Sequence, residues 1–174
     1  MLIRDERGAA AVEFAVIAPV MITMYLGIAE MVQGLMASQK MAHASAVVGD
    51  LVTQNSQIDQ AQLNDNFTIA KAILAPYPTS TLSMRITAVQ VGTDLVPRVT
   101  WSKVNGSGYT AYTQNATIST LPTAFKVAGQ TTIISETKYA YRSTLGKVLP
   151  NGVNLTRKFY LRPRNAGGTV TFVS

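Results

Sequence analysis

Ala9-Ala10-Ala11-Val12-Glu13-Phe14-Ala15-Val16-Ile17-Ala18-Pro19-Val20-Met21-Ile22-Thr23-Met24-Tyr25-Leu26-Gly27-Ile28-Ala29 is the stretch whose reading decides the architecture. Its only ionisable side chains are Glu13 and the normally neutral Tyr25. A helix rises about 1.5 Å per residue and needs roughly 20 apolar residues to cross the hydrocarbon core of a bilayer, a length this stretch meets. A secretory signal has a shorter apolar run ended by a small-x-small cleavage site. Here the helical spacing continues straight past Glu30, so the expectation is a retained anchor, transmembrane over residues 9–30. Arg4 and Arg7 precede the span and Lys40 is the first cation after it. By the positive-inside rule this predicts a cytoplasmic N-terminus and a C-terminal part on the far side.

Glu13 is the exception within the span. A carboxylate in apolar surroundings costs several kcal/mol unless it is paired, hydrated or protonated. One reading places it near the end of the span, reaching for the interface. The other gives it a cationic partner: were the chain cut between Gly8 and Ala9, the new amine would stand four residues before Glu13, on the same helix face or within reach of a neighbouring subunit.

Beyond the span, Ile28, Met31, Val32, Leu35 and Met36 form an apolar stripe, and Val47, Val48, Leu51 and Val52 resume one. Gln33, Ser38, Gln39, Lys40, His43 and Asp50 lie between them, which keeps a helical rhythm. A helix from Ala9 to Val52 would be roughly 65 Å long, about twice the hydrocarbon thickness. Residues 31–54 are therefore expected to continue the helix outside the membrane and pack on something. Pro19 is the position where it can kink.

Residues 55–174 are expected to form an extracytoplasmic α+β domain. A second helix is predicted over Asp59–Ala75, with Ser56 or Asp59 as N-cap and Pro76 and Pro78 as its stop. From Thr79 on the period becomes two, and Leu82, Met84, Ile86 and Ala88 alternate with Ser83, Arg85 and Thr87 as in a half-buried strand. Val96–Val104 is a second strand, placed at an edge by Pro97. Gln130–Ser143 reads as a central strand, and Asn154–Leu161 and Thr169–Val173 complete four or five antiparallel strands. Asn105-Gly106-Ser107-Gly108 and Pro150-Asn151-Gly152 are turns.

The formal net charge is +6, but only Arg157, Lys158, Arg162 and Arg164 cluster, and such scatter argues against nucleic acid. The chain has no cysteine, which excludes disulfides, thiolate catalysis and Cys-ligated zinc. His43, the only histidine, has no carboxylate at ligand spacing and reads as a solvated residue. Asp50, Asp59, Asp65, Asp94 and Glu136 are isolated, with no acid/base couple among them. Trp101, Tyr139 and Tyr141 read as sheet-face packing. Asn105–Gly108 lacks the Gly-x-x-x-x-Gly-Lys pattern of a phosphate loop. Nothing calls for a cofactor, a metal or a small-molecule substrate.

Gly8, small apolar residues and then Glu13-Phe14 inside an apolar helix together resemble the class III signal of type IV pilins, most of all its tight-adherence (Tad, or Flp) branch. Asp50-Leu51-Val52-Thr53-Gln54, Ala75-Pro76-Tyr77, Trp101-Ser102, Thr137-Lys138-Tyr139-Ala140-Tyr141 and Leu161-Arg162-Pro163-Arg164 are similar, in order, to stretches of the TadE/TadG-like minor pilins (pseudopilins). The resemblance implies that residues 1–8 are a cytoplasmic leader, cut by prepilin peptidase after Gly8. Ala9 is then the first mature residue and Glu13, followed by Phe14, the fifth. It implies a non-enzymatic subunit of an adhesion pilus in a bacterial inner membrane, with the C-terminal domain in the periplasm or carried into the pilus. Its partners would be other pilin and machinery subunits, prepilin peptidase and the bilayer, and Glu13 would set the packing register. The competing readings are an unprocessed inner-membrane assembly factor of the same system, and an anchored periplasmic enzyme or ligand-binding module. The last needs a concave site with convergent polar groups.

Overall fold

The computed structural model describes residues 6–143, 146 and 151–173, with Glu6 and Arg7 described by their backbone alone. Most of the leader expected at residues 1–8, and Pro150 of the expected turn, lie outside the described residues. The chain is α+β. A helix α1 (Glu6–Gln54) is followed by β1 (Gln57–Ile58), α2 (Gln60–Leu74), β2 (Ser83–Val91), β3 (Pro97–Asn105), a short 3-10 turn (Thr123–Phe125), β4 (Thr131–Tyr141), β5 (Val153–Leu161) and β6 (Thr171–Phe172). Two compact units are present, Met1–Met36 with Arg142–Val153, and Ala37–Tyr141 with Asn154–Ser174.

The second unit is built on a four-stranded antiparallel sheet in the order β3-β2-β4-β5. Pro97 opens an edge strand, as a residue without an N–H should, and β4 is interior as expected. The final stretch differs from expectation. Thr171–Phe172 leaves the main sheet and pairs in parallel with Gln57–Ile58, through Thr171 N–H to Ser56 O at 3.0 Å and Val173 N–H to Ile58 O at 3.0 Å. Ser56-Gln57 is polar and follows a helix directly, so nothing local marks it as half of a strand pair.

α2 begins and ends where its sequence dictates. Asp59 Oδ1 accepts from Gln62 N–H at 2.7 Å, and Gln62 Oε1 accepts from Asp59 N–H at 3.1 Å, a reciprocal capping box. Ala75 is already extended ahead of Pro76, since the proline ring disfavours helix in the residue before it. Leu63, Phe67, Ala70 and Leu74 are buried, as their spacing predicts.

Two different layers cover the sheet. Within this unit the face of α1 turned inward is made of Ala37, Met41, Ala44, Ser45, Val48, Gly49 and Val52. The approach is close because the contacting residues are small. Ser135 Oγ donates to Ser45 O at 2.8 Å, and a Cβ on Gly49 would stand 2.7 Å from Leu161 Cδ1 and 3.1 Å from Ser135 Cβ. Ser135 pairs with Ile86, Ile133 with Ala88 and Thr137 with Met84, so these residues share the helix-facing side.

The other side was expected to be solvated, and it is buried. Ser83 and Thr87 are buried with their neighbours because the excursion from residue 106 to 130 folds over them. Ile118 and Leu121 close on Val89, Val91, Val99 and Ile134, with Tyr112, Phe125 and Tyr160 around them. Arg85 pins this cover. Its guanidinium lies 3.9 Å from the Tyr112 ring centroid and 4.7 Å from that of Tyr109, and donates to Thr110 O at 2.8 Å and Tyr112 Oη at 2.9 Å. Arg85 Nε also donates to Glu136 Oε2 at 2.7 Å, while Lys158 Nζ lies 3.2 Å from Glu136 Oε1.

Burial by itself would lower the Lys158 ammonium, but the charge and hydrogen bond of Glu136 outweigh it and hold Lys158 above its usual 10.5. Burial raises the Tyr109 and Tyr139 phenols above 10.0. All three groups hold their protons more tightly when folded. Their contribution is thus complete below the unfolded values near 10 and is lost as pH climbs through the raised ones. The unfolding midpoint in urea should fall steadily above pH 10, and Tyr109→Phe should flatten that fall. Glu136→Gln leaves two cations in a largely buried site and should cost about 3 kcal/mol. Gly49→Val forces α1 off the sheet and should cost about 2 kcal/mol. Both are measurable by urea unfolding of the detergent-solubilised chain.

Candidate functional site

The N-terminal unit presents its apolar residues outward. Every large hydrophobic side chain from Val12 to Met36 is exposed, Phe14 at 73% and Tyr25 at 72%. The helix Gly8–Gln54 is long and apolar enough to cross a membrane. Residues 12–36 cover roughly 37 Å of helix against a hydrocarbon core of about 30 Å, so the exposed apolar surface runs past residue 30. The stripe Ile28, Met31, Val32, Leu35 and Met36 belongs to this outer surface. Glu30 sits in the middle of the sleeve but turns inward, only 1% exposed. Buried or half-buried positions recur in this unit at Gly27, Glu30 and Gly34. These steps of three and four residues define one helix face. That spacing was the available signal for the inward face, and the larger residues beside it obscured it.

The predicted processing and register residues lie at the start of this helix. Gly8 is helical with open space around its Cα. Ala9 and Glu13, one turn apart, share a face, and both are exposed. Phe14 points outward beside them. Among the described residues Glu13 makes no ion pair, so in lipid its carboxylate would carry the full desolvation cost. Pro19 is accommodated without a break in α1, and Thr23 Oγ1 donates to Pro19 O at 2.8 Å.

Residues 8–49 match the family model of the TadE-like proteins. Over these residues the helix is similar to the TadE-like proteins. The match opens at Gly8, takes in Ala9, Glu13 and Phe14, and ends at Gly49, where α1 touches the sheet. With the candidate membrane helix it fits a pilin-like protein of the Tad pilus system. Comparison with curated proteins and with solved structures finds no match. The stretches from Asp50-Leu51 onward that resemble minor pilins lie beyond the matched residues.

Two of those stretches meet in the fold. Arg164 Nη2 lies 2.9 Å from Asp50 Oδ1, Arg164 N–H donates to Thr53 O at 2.8 Å, and Gln54 Nε2 donates to Asp50 Oδ2 at 3.0 Å. Asn165 Nδ2 adds a bond to Asn55 O at 2.8 Å. Asp50–Gln54 and Leu161–Arg164 thus clamp the C-terminal segment onto the end of α1. The acidic residues read as isolated are partnered by cations distant in sequence: Asp50 by Arg164 and Glu136 by Arg85 and Lys158. Hydrogen bonds from Arg98 and Val96 hold the Asp94 carboxyl down at about 2. His43 is exposed. Tyr141 packs edge-on to Tyr77 at 6.0 Å. Trp101 packs against Phe172, as its sheet-face reading implies, and it also lines a cavity at the β3 edge that no motif announced.

A cation near the centre of a spanning helix costs about 2.5–3.5 kcal/mol. Met24→Arg should therefore move the chain from the carbonate-resistant membrane pellet toward the soluble or degraded fraction. Lys40→Ala, beyond the apolar sleeve, should leave it in the pellet.

Proposed function

We propose that this TadE-like chain is a membrane-anchored minor pilin or pilin-like subunit that takes part in assembling a tight-adherence (Flp) pilus. The observation that carries the reading is the family match beginning at Gly8, on a helix where Ala9 and Glu13 share an exposed face. In this reading the chain spans the inner membrane once, with residues 1–8 in the cytoplasm and the sheet domain in the periplasm. Prepilin peptidase hydrolyses the Gly8–Ala9 bond and leaves a charged amine on Ala9. The exposed sleeve from Val12 to Met36 then exchanges lipid for the helices of neighbouring subunits.

Glu13 supplies the register. In a water-poor bundle an unpaired carboxylate and an unpaired ammonium are both strongly penalised, and their attraction at contact distance is large. Pairing with its own Ala9 amine would leave the register free, whereas pairing with a neighbour's amine relieves both charges only at one axial offset between the two helices. The role requires no catalysis by this chain.

N-terminal sequencing of the membrane-extracted and pilus fractions tests the reading. The expected mature terminus is Ala-Ala-Ala-Val-Glu. Glu13→Ala should keep the protein in the membrane while lowering its recovery in sheared pili by at least about tenfold, the equivalent of about 1.4 kcal/mol. An intact Met1 beside an active prepilin peptidase, with the protein confined to the membrane, would instead make it an unprocessed assembly factor.

A further inference from the structure

A cavity of about 550 Å³ opens beside β3, inside the roughly 300–1,000 Å³ range of small-ligand sites. Three separate parts of the sheet domain converge on it: β3 itself, the covering excursion through Tyr112 and Gln114, and the short terminal strand through Phe172. A local irregularity in the sheet shapes it. Ala88 pairs with Trp101 and Val89 with Val99, so Thr100 is an extra residue bulged out of the ladder. Bulges of this kind re-aim the following side chain and concentrate beside binding sites. Here the bulge directs Trp101, whose Nε1 donates to Val170 O at 2.7 Å and locks the indole. Its ring stands 6.0 Å from that of Phe172, and Lys103 Nζ lies 3.8 Å from the Phe172 centroid.

We propose that this cavity binds an acidic saccharide, its ring C–H faces against Tyr112 and Phe172, beside the largely buried Trp101, and its carboxylate at Lys103. Sugar hydroxyls both donate and accept, as do the amides of Gln90 and Gln114 and the hydroxyls of the threonines in the wall. The wall holds one cation, Lys103, and no carboxylate. That charge balance selects an anionic ligand over a neutral or cationic one. An extended peptide adding a strand at this edge is the poorer fit. Val99 already bonds Ala116 O at 3.0 Å and Asn115 N–H at 2.8 Å, so the first part of the β3 edge is taken and little ladder remains for an added strand. The site is independent of the assembly reading. It supplies the concave polar constellation that the sequence by itself does not reveal.

Trp101 is the only tryptophan in the chain, so its fluorescence reports the cavity directly. Titrating the full-length, detergent-solubilised protein with tri-galacturonate should give a saturable change, and maltotriose should bind more weakly by about tenfold or more, the scale of one charge-assisted hydrogen bond. Lys103→Gln should abolish that preference. Gln114→Ala, on a different segment, should weaken both sugars, with far-UV circular dichroism and the unfolding midpoint unchanged in either variant. No saturable signal with tri-galacturonate, equal binding of maltotriose, a preference that survives Lys103→Gln, or a response to an unstructured peptide and not to the sugar would each overturn the proposal.

Discussion

The fold depends on how closely α1 approaches the sheet at Ser45 and Gly49. Ser135 meets both of them, and this is possible only because all three residues are small. Larger residues would hold the helix off, and the interior positions of β2 and β4, Met84, Ile86 and Ile133 among them, would lose their dense cover. Once one side of an antiparallel sheet is sealed by a helix, the other is ordinarily left to water. Here β2 and β4 carry Val89, Val91 and Ile134 on that second side as well. A further layer is therefore required, and the excursion from residue 106 to 130 provides it.

That second layer shows why charge is found inside the domain. Arg85 and Glu136 project from paired positions of β2 and β4 into the covered side, where either would be costly unaccompanied. Placed together, with Lys158 from β5 and the faces of Tyr109 and Tyr112 around them, they become the fixed point to which a loop with little regular structure is tied. The C-terminal segment is held by the same means at the other end of α1, where Arg164 meets Asp50 and Asn165 bonds Asn55. A long connection and a tail are both secured by ionic and hydrogen bonds in addition to their apolar contacts, Ile118 and Leu121 in the first and Val170 and Phe172 in the second.

Local chemistry was legible in the sequence and long-range pairing was not. Asp59, with Ser56 as the alternative, announced the start of α2, Pro76 its end, Pro97 an edge strand and the run from Gln130 an interior one. Each of these follows from a backbone preference that acts over four or five residues. Arg85 and Glu136 are 51 residues apart, and the parallel pairing of Gln57 with Thr171 joins two segments too short to show any period. The bulge at Thr100 leaves no mark either, since the alternation it breaks is also broken by every turn. The cavity wall was hidden for the same reason: its residues come from three segments and signal nothing separately. Gly8, Ala9 and Glu13 could be read together for another reason, because they lie within a single turn and a half of one helix.

The two carboxylates of the apolar helix meet one physical problem in opposite ways. Glu30 is 1% exposed and has interaction partners within the structure, so from Phe14 to Met36 the helix exposes no charged side chain. Glu13 faces outward, one turn from Ala9, and pairs with no cation among the described residues. A helix that served only as an anchor gains nothing from an outward carboxylate, since any apolar residue there would insert at lower cost. That cost is lowered where Glu13 reaches the water interface at the end of the span, or where a cation pairs with it. In the function proposed above that cation is the Ala9 amine, the helix's own or a neighbour's, and the surroundings of Glu13 would then be other helices as well as lipid.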